Sequence, residues 1–282
     1  MATRSLHARR VAVADLVEPS RALTARSVLA SALLGATEPT LPSAALVTTA
    51  ALFGISSGAA RTCLWRMVAN GELTADGGTY SLAGPLLERR RRVDHAARPA
   101  YVSERPWDGT WELAVVAAGG RPALDRLDLR RAATALHLAE LREGTWIRPD
   151  NLAPDRLPSC RAVIADQCVQ FRDAHTDLGA EHITALFDLD AWATSARRLI
   201  AAIDDELDAG PPQQAGTEVL TFRFLLSVAV VRHLQLDPHL PVQLLPPDWP
   251  AERLRVDYRR YDRAFKHDLA AAGRSSPSRR RA

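Results

Sequence analysis

Lysine is almost missing from this chain: of its 36 Lys and Arg residues, only Lys266 is a lysine. No serine stands three residues before it, which excludes a Ser-x-x-Lys catalytic pair. Cysteine is scarce as well. Cys63, Cys160 and Cys168 are too few and too unevenly spaced for a disulfide framework or a Cys-x-x-Cys metal site, so a reducing cytoplasm is expected. Long apolar runs are also absent. The densest lies around residues 224–231, and the uncharged stretch 39–60 is broken by Pro42, Gly54 and Gly58, whereas a membrane helix needs about 20 apolar residues. Arg4, Arg9, Arg10, Asp15 and Glu18 interrupt the N-terminus and no apolar core follows them, so no signal peptide is expected. HExxH and P-loop patterns do not occur, so no enzyme activity and no cofactor are expected.

What is present suits a folded chain. Hydrophobic residues make up 47% and charged residues 24%, enough apolar surface for real cores. At about 100–200 residues per domain, 282 residues predict two or three domains. The net charge of +3 conceals an asymmetry. Residues 1–98 carry 12 Lys and Arg against 7 Asp and Glu, residues 99–273 carry 20 against 26, and the last nine add four arginines. Basic ends on an acidic body point to a polyanionic partner for the N-terminal part.

Residues 1–20 lack a sustained period and read as a flexible arm. From Arg21 the pattern becomes helical, with Val28, Leu29, Ala32 and Leu33 on one face and Gly35 as a stop. Ser43 is placed to cap a second helix that Gly54 breaks. Ser56 caps a third, whose buried stripe is Ala60, Cys63, Leu64, Met67 and Val68 and whose stop is Asn70-Gly71. LTAD and TYSL around Gly77-Gly78 then predict a hairpin. Two helices, a tight turn and a hairpin make a winged helix-turn-helix, whose second helix enters the major groove. With its stripe inward, that helix presents Ser57, Gly58, Arg61, Thr62, Trp65 and Arg66, the candidate DNA-contacting set. Arg89, Arg90, Arg91 and Arg92 follow the wing and read equally as a phosphate clamp or as a solvated helix face. This winged-helix domain and its linker are assigned to residues 21–98.

Arg98-Pro99 and Arg105-Pro106 mark a boundary. A strand at WELAVV, a helix over residues 126–138, a short strand at GTWI and a strand region over residues 160–171 predict a small α+β domain over 99–180. From His182 the period is helical, with Leu186, Leu189, Trp192, Ala196, Leu199 and Ile203 on one face, then an apolar helix over 219–234 and a third over 253–269. These form a helical domain over 181–272, with a proline-locked loop at 237–250 and a disordered basic tail at 273–282.

Five segments carry a family resemblance: FGISSGAARTCLWRMVANGEL, YSLAGPLLERRRR, WDGTWELAVV, GTWIRPDNL and DPHLPVQLLPPDWP. In this order, over roughly residues 25–270, the chain resembles the PaaX-like family, the phenylacetic acid degradation repressors of bacteria. The resemblance implies a winged-helix N-terminal domain, a ferredoxin-like middle domain and a helical C-terminal domain. It also implies a dimeric repressor of double-stranded DNA, relieved by an aromatic acyl-coenzyme A ester such as phenylacetyl-coenzyme A. Arg61 and Arg66 match the arginines of the family's recognition helix. Leu136 to Leu141 stands where the resemblance leads one to expect a glycine.

A two-fold dimer joined through regions after residue 98 would read an inverted-repeat operator. Effector contacts are expected from Arg148, Arg223, Arg232 and His233, between the middle and C-terminal domains, with an internal ion pair to Asp190 or Glu218 as the other reading. A metal-dependent nuclease on the middle domain is the alternative function. Asp166, Asp173, His175, Asp177, Glu181 and His182 offer ligands for it, but their spacing fits an acidic loop better, and the first strand ends in Val116-Ala117-Ala118 without a carboxylate. His137 and His233 read as satisfied interior histidines rather than bases.

Overall fold

Thr24 opens the first helix with a reciprocal cap: its hydroxyl accepts from the Ser27 N–H at 3.1 Å, and the Ser27 hydroxyl accepts from the Thr24 N–H at 3.0 Å. The computed structural model describes residues 24–36, 38–96, 105–117, 119–210 and 217–275. The N-terminal arm and the end of the basic tail lie outside them. Helix α1 (Ala25–Gly35) leads into a short strand β1 (Thr40–Pro42), then α2 (Ser43–Leu52) and α3 (Ser57–Ala69). Pro42 rather than Ser43 occupies the cap of α2 and makes no side-chain cap bond. Ser56 does cap α3, accepting from the Ala59 N–H at 3.2 Å. Ala60, Leu64 and Met67, at helical spacing, are fully buried against Leu29, Leu33 and Leu46. Removing the Ser56 hydroxyl with Ser56→Ala is expected to cost about 1 kcal/mol in urea unfolding, the usual worth of such a cap.

Strands β2 (Leu73–Asp76) and β3 (Thr79–Leu82) form the expected hairpin, with β1 on the other side of β3. Gly77 and Gly78 turn it at φ +52° and +80°, a region open to glycine and strained for other residues. At Gly84, which starts α4 (Gly84–Ala96), φ is +43° and an added Cβ would lie 2.6 Å from the Gly71 carbonyl oxygen. The close of α3 and the start of α4 therefore meet backbone to backbone, and only glycine fits.

The middle segment runs β4 (Trp111–Val116), α5 (Ala123–Ala135), β5 (Ala139–Arg142), β6 (Thr145–Pro149), α6 (Pro158–Gln167), β7 (Cys168–Ala174). Its sheet is antiparallel in the order β5-β6-β4-β7. One face packs on α5 and α6 through Ala114, Trp146, Leu129 and Ile164. The strand region expected over 160–171 is a helix as far as Gln167. Pro158 at the first helical position starts it, and Cys160, Val163 and Ile164 follow a helical period that the β-branched pair disguises. Strand β5 is also new, and it depends on the turn before it. His137 sits at φ +55° while the Leu138 N–H bonds to the Ala133 carbonyl at 2.9 Å, a helix-closing turn usually built on glycine. At the start of the sheet the Asp108 carboxylate accepts from the Thr110 hydroxyl at 2.6 Å and its N–H at 3.1 Å. These bonds hold the carboxyl below its usual range, so their contribution to stability is present at neutral pH and is lost as the pH falls through the acid range.

Among the described residues four α-helices follow: α7 (Ala180–Leu186), α8 (Leu189–Asp208), α9 (Thr217–Gln235) and α10 (Ala251–Ser275). Leu189, Trp192, Ala196, Leu199 and Ile203 are all buried, as their period predicts. Packing divides the chain into two units that interleave along the sequence. The first comprises Met1–Arg98, Ser195–Gln235 and Arg253–Ala282, the second Pro99–Thr194 and Leu236–Glu252. In the second unit Trp111, Ile147, Ile183, Leu189 and Leu240 make a separate core on the other face of the sheet, and Trp192 stacks on Trp249 at 4.6 Å. Mixed α+β describes the whole, with two antiparallel sheets among the described residues. No helix among them is long and apolar enough to cross a membrane.

Candidate nucleic-acid interface

Because α3 buries every third or fourth residue, the residues between must face outward. Ser57, Gly58, Arg61, Thr62, Trp65 and Arg66 are all exposed. Trp65 is 70% exposed, an unusual surface position for so large an apolar side chain and one suited to contact with a partner. The small residues lie at the N-terminal end of the helix, where the backbone can approach most closely, and the guanidiniums of Arg61 and Arg66 stand one and two turns further on. Behind this face, Arg26 of α1 grips Glu72 with bonds of 2.7 and 3.0 Å, which raises the Arg26 pKa and ties up the nearest carboxylate of the segment after α3. Burial pushes the Cys63 thiol up, so it stays protonated inside the helix face rather than adding a negative charge. The wing tip carries Asp76, Gly77 and Gly78 and no cation.

The described arginines of α4 do not share one environment. Arg90 is partly buried and donates to the Ala36 carbonyl at 2.8 Å, capping the end of α1. Arg89 is half-buried and lines a cavity of the first packing unit. Arg91 is exposed, and the side chain of Arg92 lies outside the described residues. These placements separate two roles. Arg91→Gln is expected to lower the log–log salt slope of DNA binding by about one unit. Arg90→Gln should leave the slope unchanged and lower the melting temperature instead.

Of the effector candidates, Arg148 lies in the second unit and Arg223, Arg232 and His233 in the first. Arg148 is 0% exposed and spends its donors inside the fold, on the carbonyls of Leu136 and Pro149 at 2.8 and 3.0 Å and on Asn151 Oδ1 at 2.6 Å. Arg223 is likewise buried, donating to Glu206 at 2.8 Å, Asp268 at 2.5 Å and the Gly210 carbonyl at 3.0 Å. Its ion-pair partners are thus Glu206 and Asp268, not Asp190 or Glu218. Arg232 is exposed and His233 half-buried, both on the last turn of α9.

Two features escaped the sequence reading. Glu112 is buried in β4 and held by Arg161 at 2.6 Å, with Arg148 and Arg172 at 3.6 and 3.9 Å. Arg148 and Arg172 stand on β6 and β7, the strands that pair with β4, and Arg161 on α6, so all three partners are distant in sequence and no local pattern announces the site. A cavity among α1, α2, α4, α9 and α10 is the other. The residues of the acidic stretch, Asp166, Asp173, His175, Asp177, Glu181 and His182, are all exposed. Among the described residues no three His, Cys, Asp or Glu side chains come together in a way that could hold a metal.

Residues 24–85 match the family described as PaaX-like protein, and residues 104–185 match the PaaX protein central Cas2-like domain. No curated protein matches the chain. Among solved structures, an uncharacterized protein, Rv0674 from Mycobacterium tuberculosis, is similar to it, with 34% identity over 89% of this chain and 99% of that one and a TM-score of 0.68.

Proposed function

Because the chain belongs to the PaaX-like family, we propose that it is a DNA-binding transcriptional repressor whose third helix reads the major groove. The observation that carries this reading is the outward face of α3, where Arg61, Trp65 and Arg66 stand exposed on a helix whose other face is locked into a core. The order helix, strand, helix, helix, hairpin supports a winged helix, with β2 and β3 as the wing beside the groove. The β-α-β-β-α-β order with sheet sequence β5-β6-β4-β7 supports a ferredoxin-like middle domain. One winged helix offers few contacts. The active form is therefore a homodimer joined beyond residue 98, bound to an inverted repeat with half-sites about one helical turn, or a multiple, apart. A small-molecule effector, an aromatic acyl-coenzyme A ester by family likeness, binds the DNA-incompetent form more tightly and so releases the operator.

The test is a gel shift on the DNA upstream of the protein's own coding sequence, with and without magnesium. A shifted, uncut duplex under both conditions is expected. Cleavage that requires magnesium would move the assignment to a nuclease.

A further inference from the structure

The cavity bounded by α1, α2, α4, α9 and α10 lies wholly within the first packing unit, and its volume is about 1390 Å³. That exceeds the roughly 300–1,000 Å³ that encloses a drug-sized molecule. Its walls are mainly apolar. Phe53 at the end of α2 meets Phe224 of α9 edge-on at 5.3 Å, and Val228, Val231 and Phe265 continue that surface.

The polar groups on these walls define the chemistry. Six are hydroxyls, those of Ser31, Thr40, Thr48, Thr49, Ser227 and Tyr258. Ser227 and Tyr258 bond to each other at 2.9 Å, and burial pushes the Tyr258 phenol well above its usual range, so it remains a neutral donor and acceptor. The charged groups are Glu38, Arg89, Asp262 and Lys266, two of each sign, and Lys266 pairs with Asp262 at 2.5 Å. A lining without net charge does not balance the several phosphate charges of a coenzyme A ester. Hydroxyls, which both donate and accept, suit ketone, ester and alcohol oxygens on an apolar body.

We propose that this cavity is a ligand site for a large, uncharged, mainly apolar molecule bearing hydroxyl or carbonyl oxygens, distinct in chemistry from an acyl-coenzyme A effector. Its place gives it leverage. The ligand would touch α1 and α2, which carry α3 on their far side, together with α9 and α10, so filling the cavity fixes where the reading helix stands relative to the C-terminal helices of the same unit. That regulatory consequence rests on the repressor reading, whereas the site itself does not.

The experiment uses the full chain and the uncharged dye Nile red, followed by its fluorescence. Two variants narrow the cavity: Val228→Trp from α9 and Ala45→Phe from the exposed wall on α2, where folding is least at risk. Saturable binding of one dye per chain is expected. Variants that keep the wild-type circular dichroism should bind at least tenfold more weakly. Testosterone, an uncharged hydroxy ketone, should displace the dye, and phenylacetyl-coenzyme A should not. Equal dye affinity in wild type and Ala45→Phe, or displacement by the thioester and not by the steroid, would overturn the proposal. In the gel shift, testosterone is expected to change operator affinity several-fold for wild type and not for Ala45→Phe. Failure to bind any DNA while dye binding persists would instead remove the repressor reading and leave the site standing.

Discussion

Arg223→Ala is expected to lower the stability of the chain by about 3 to 5 kcal/mol, the usual cost of removing one partner from a buried ion pair. The loss is large because of what remains behind. Glu206 and Asp268 are buried within a few ångströms of the same guanidinium, and the variant leaves both carboxylates without that cation while the Gly210 carbonyl loses a donor. These groups tie α8, α9 and α10 together, and Tyr261 of α10 adds a bond to the Arg223 carbonyl at 2.7 Å. Urea unfolding of wild type and variant at one pH measures the difference. A triple variant, Arg223→Met with Glu206→Gln and Asp268→Asn, is expected to recover most of the loss, because it removes the three charges of the triad together. If the single variant unfolded within about 1 kcal/mol of wild type, the triad would be a solvated pair rather than a buried clamp.

The second large effect concerns DNA. Arg61→Ala is expected to weaken operator binding by about 1 to 3 kcal/mol and to relax preference at one base pair per half-site, if its guanidinium forks onto a guanine edge. Arg61→Lys should keep much of the affinity and lose the base preference, because an ammonium attracts phosphate without presenting the planar fork. The comparison needs a fixed salt concentration and a set of operators changed one base pair at a time. Loss of affinity uniform over all sequences would make Arg61 a phosphate contact, and no loss at all would remove α3 from the interface. Fold damage is not expected, since Arg61 is exposed and the core of α3 is Ala60, Leu64 and Met67.

The sequence by itself determined the elements whose signals are local. Helix α3, its Ser56 cap, its Gly71 stop at φ +69° and the two-glycine hairpin follow from residues within a few positions of one another, because periodicity and backbone preference act over one or two turns. The outward set from Ser57 to Arg66 was legible for the same reason: a helix with a known inner face has a known outer one. Local signals also misled, as where Val163-Ile164 suggested a strand and Pro158 in fact began a helix. Tertiary structure alone decided the destinations of charged groups. Nothing near Arg223 in sequence indicates Glu206 or Asp268, and nothing near Arg90 indicates the carbonyl of Ala36, because a long side chain takes whatever partner the packing of distant helices brings within 3 Å. The cavity belongs to the same class. Its walls come from five helices spread over most of the chain, and a volume exists only once they are packed.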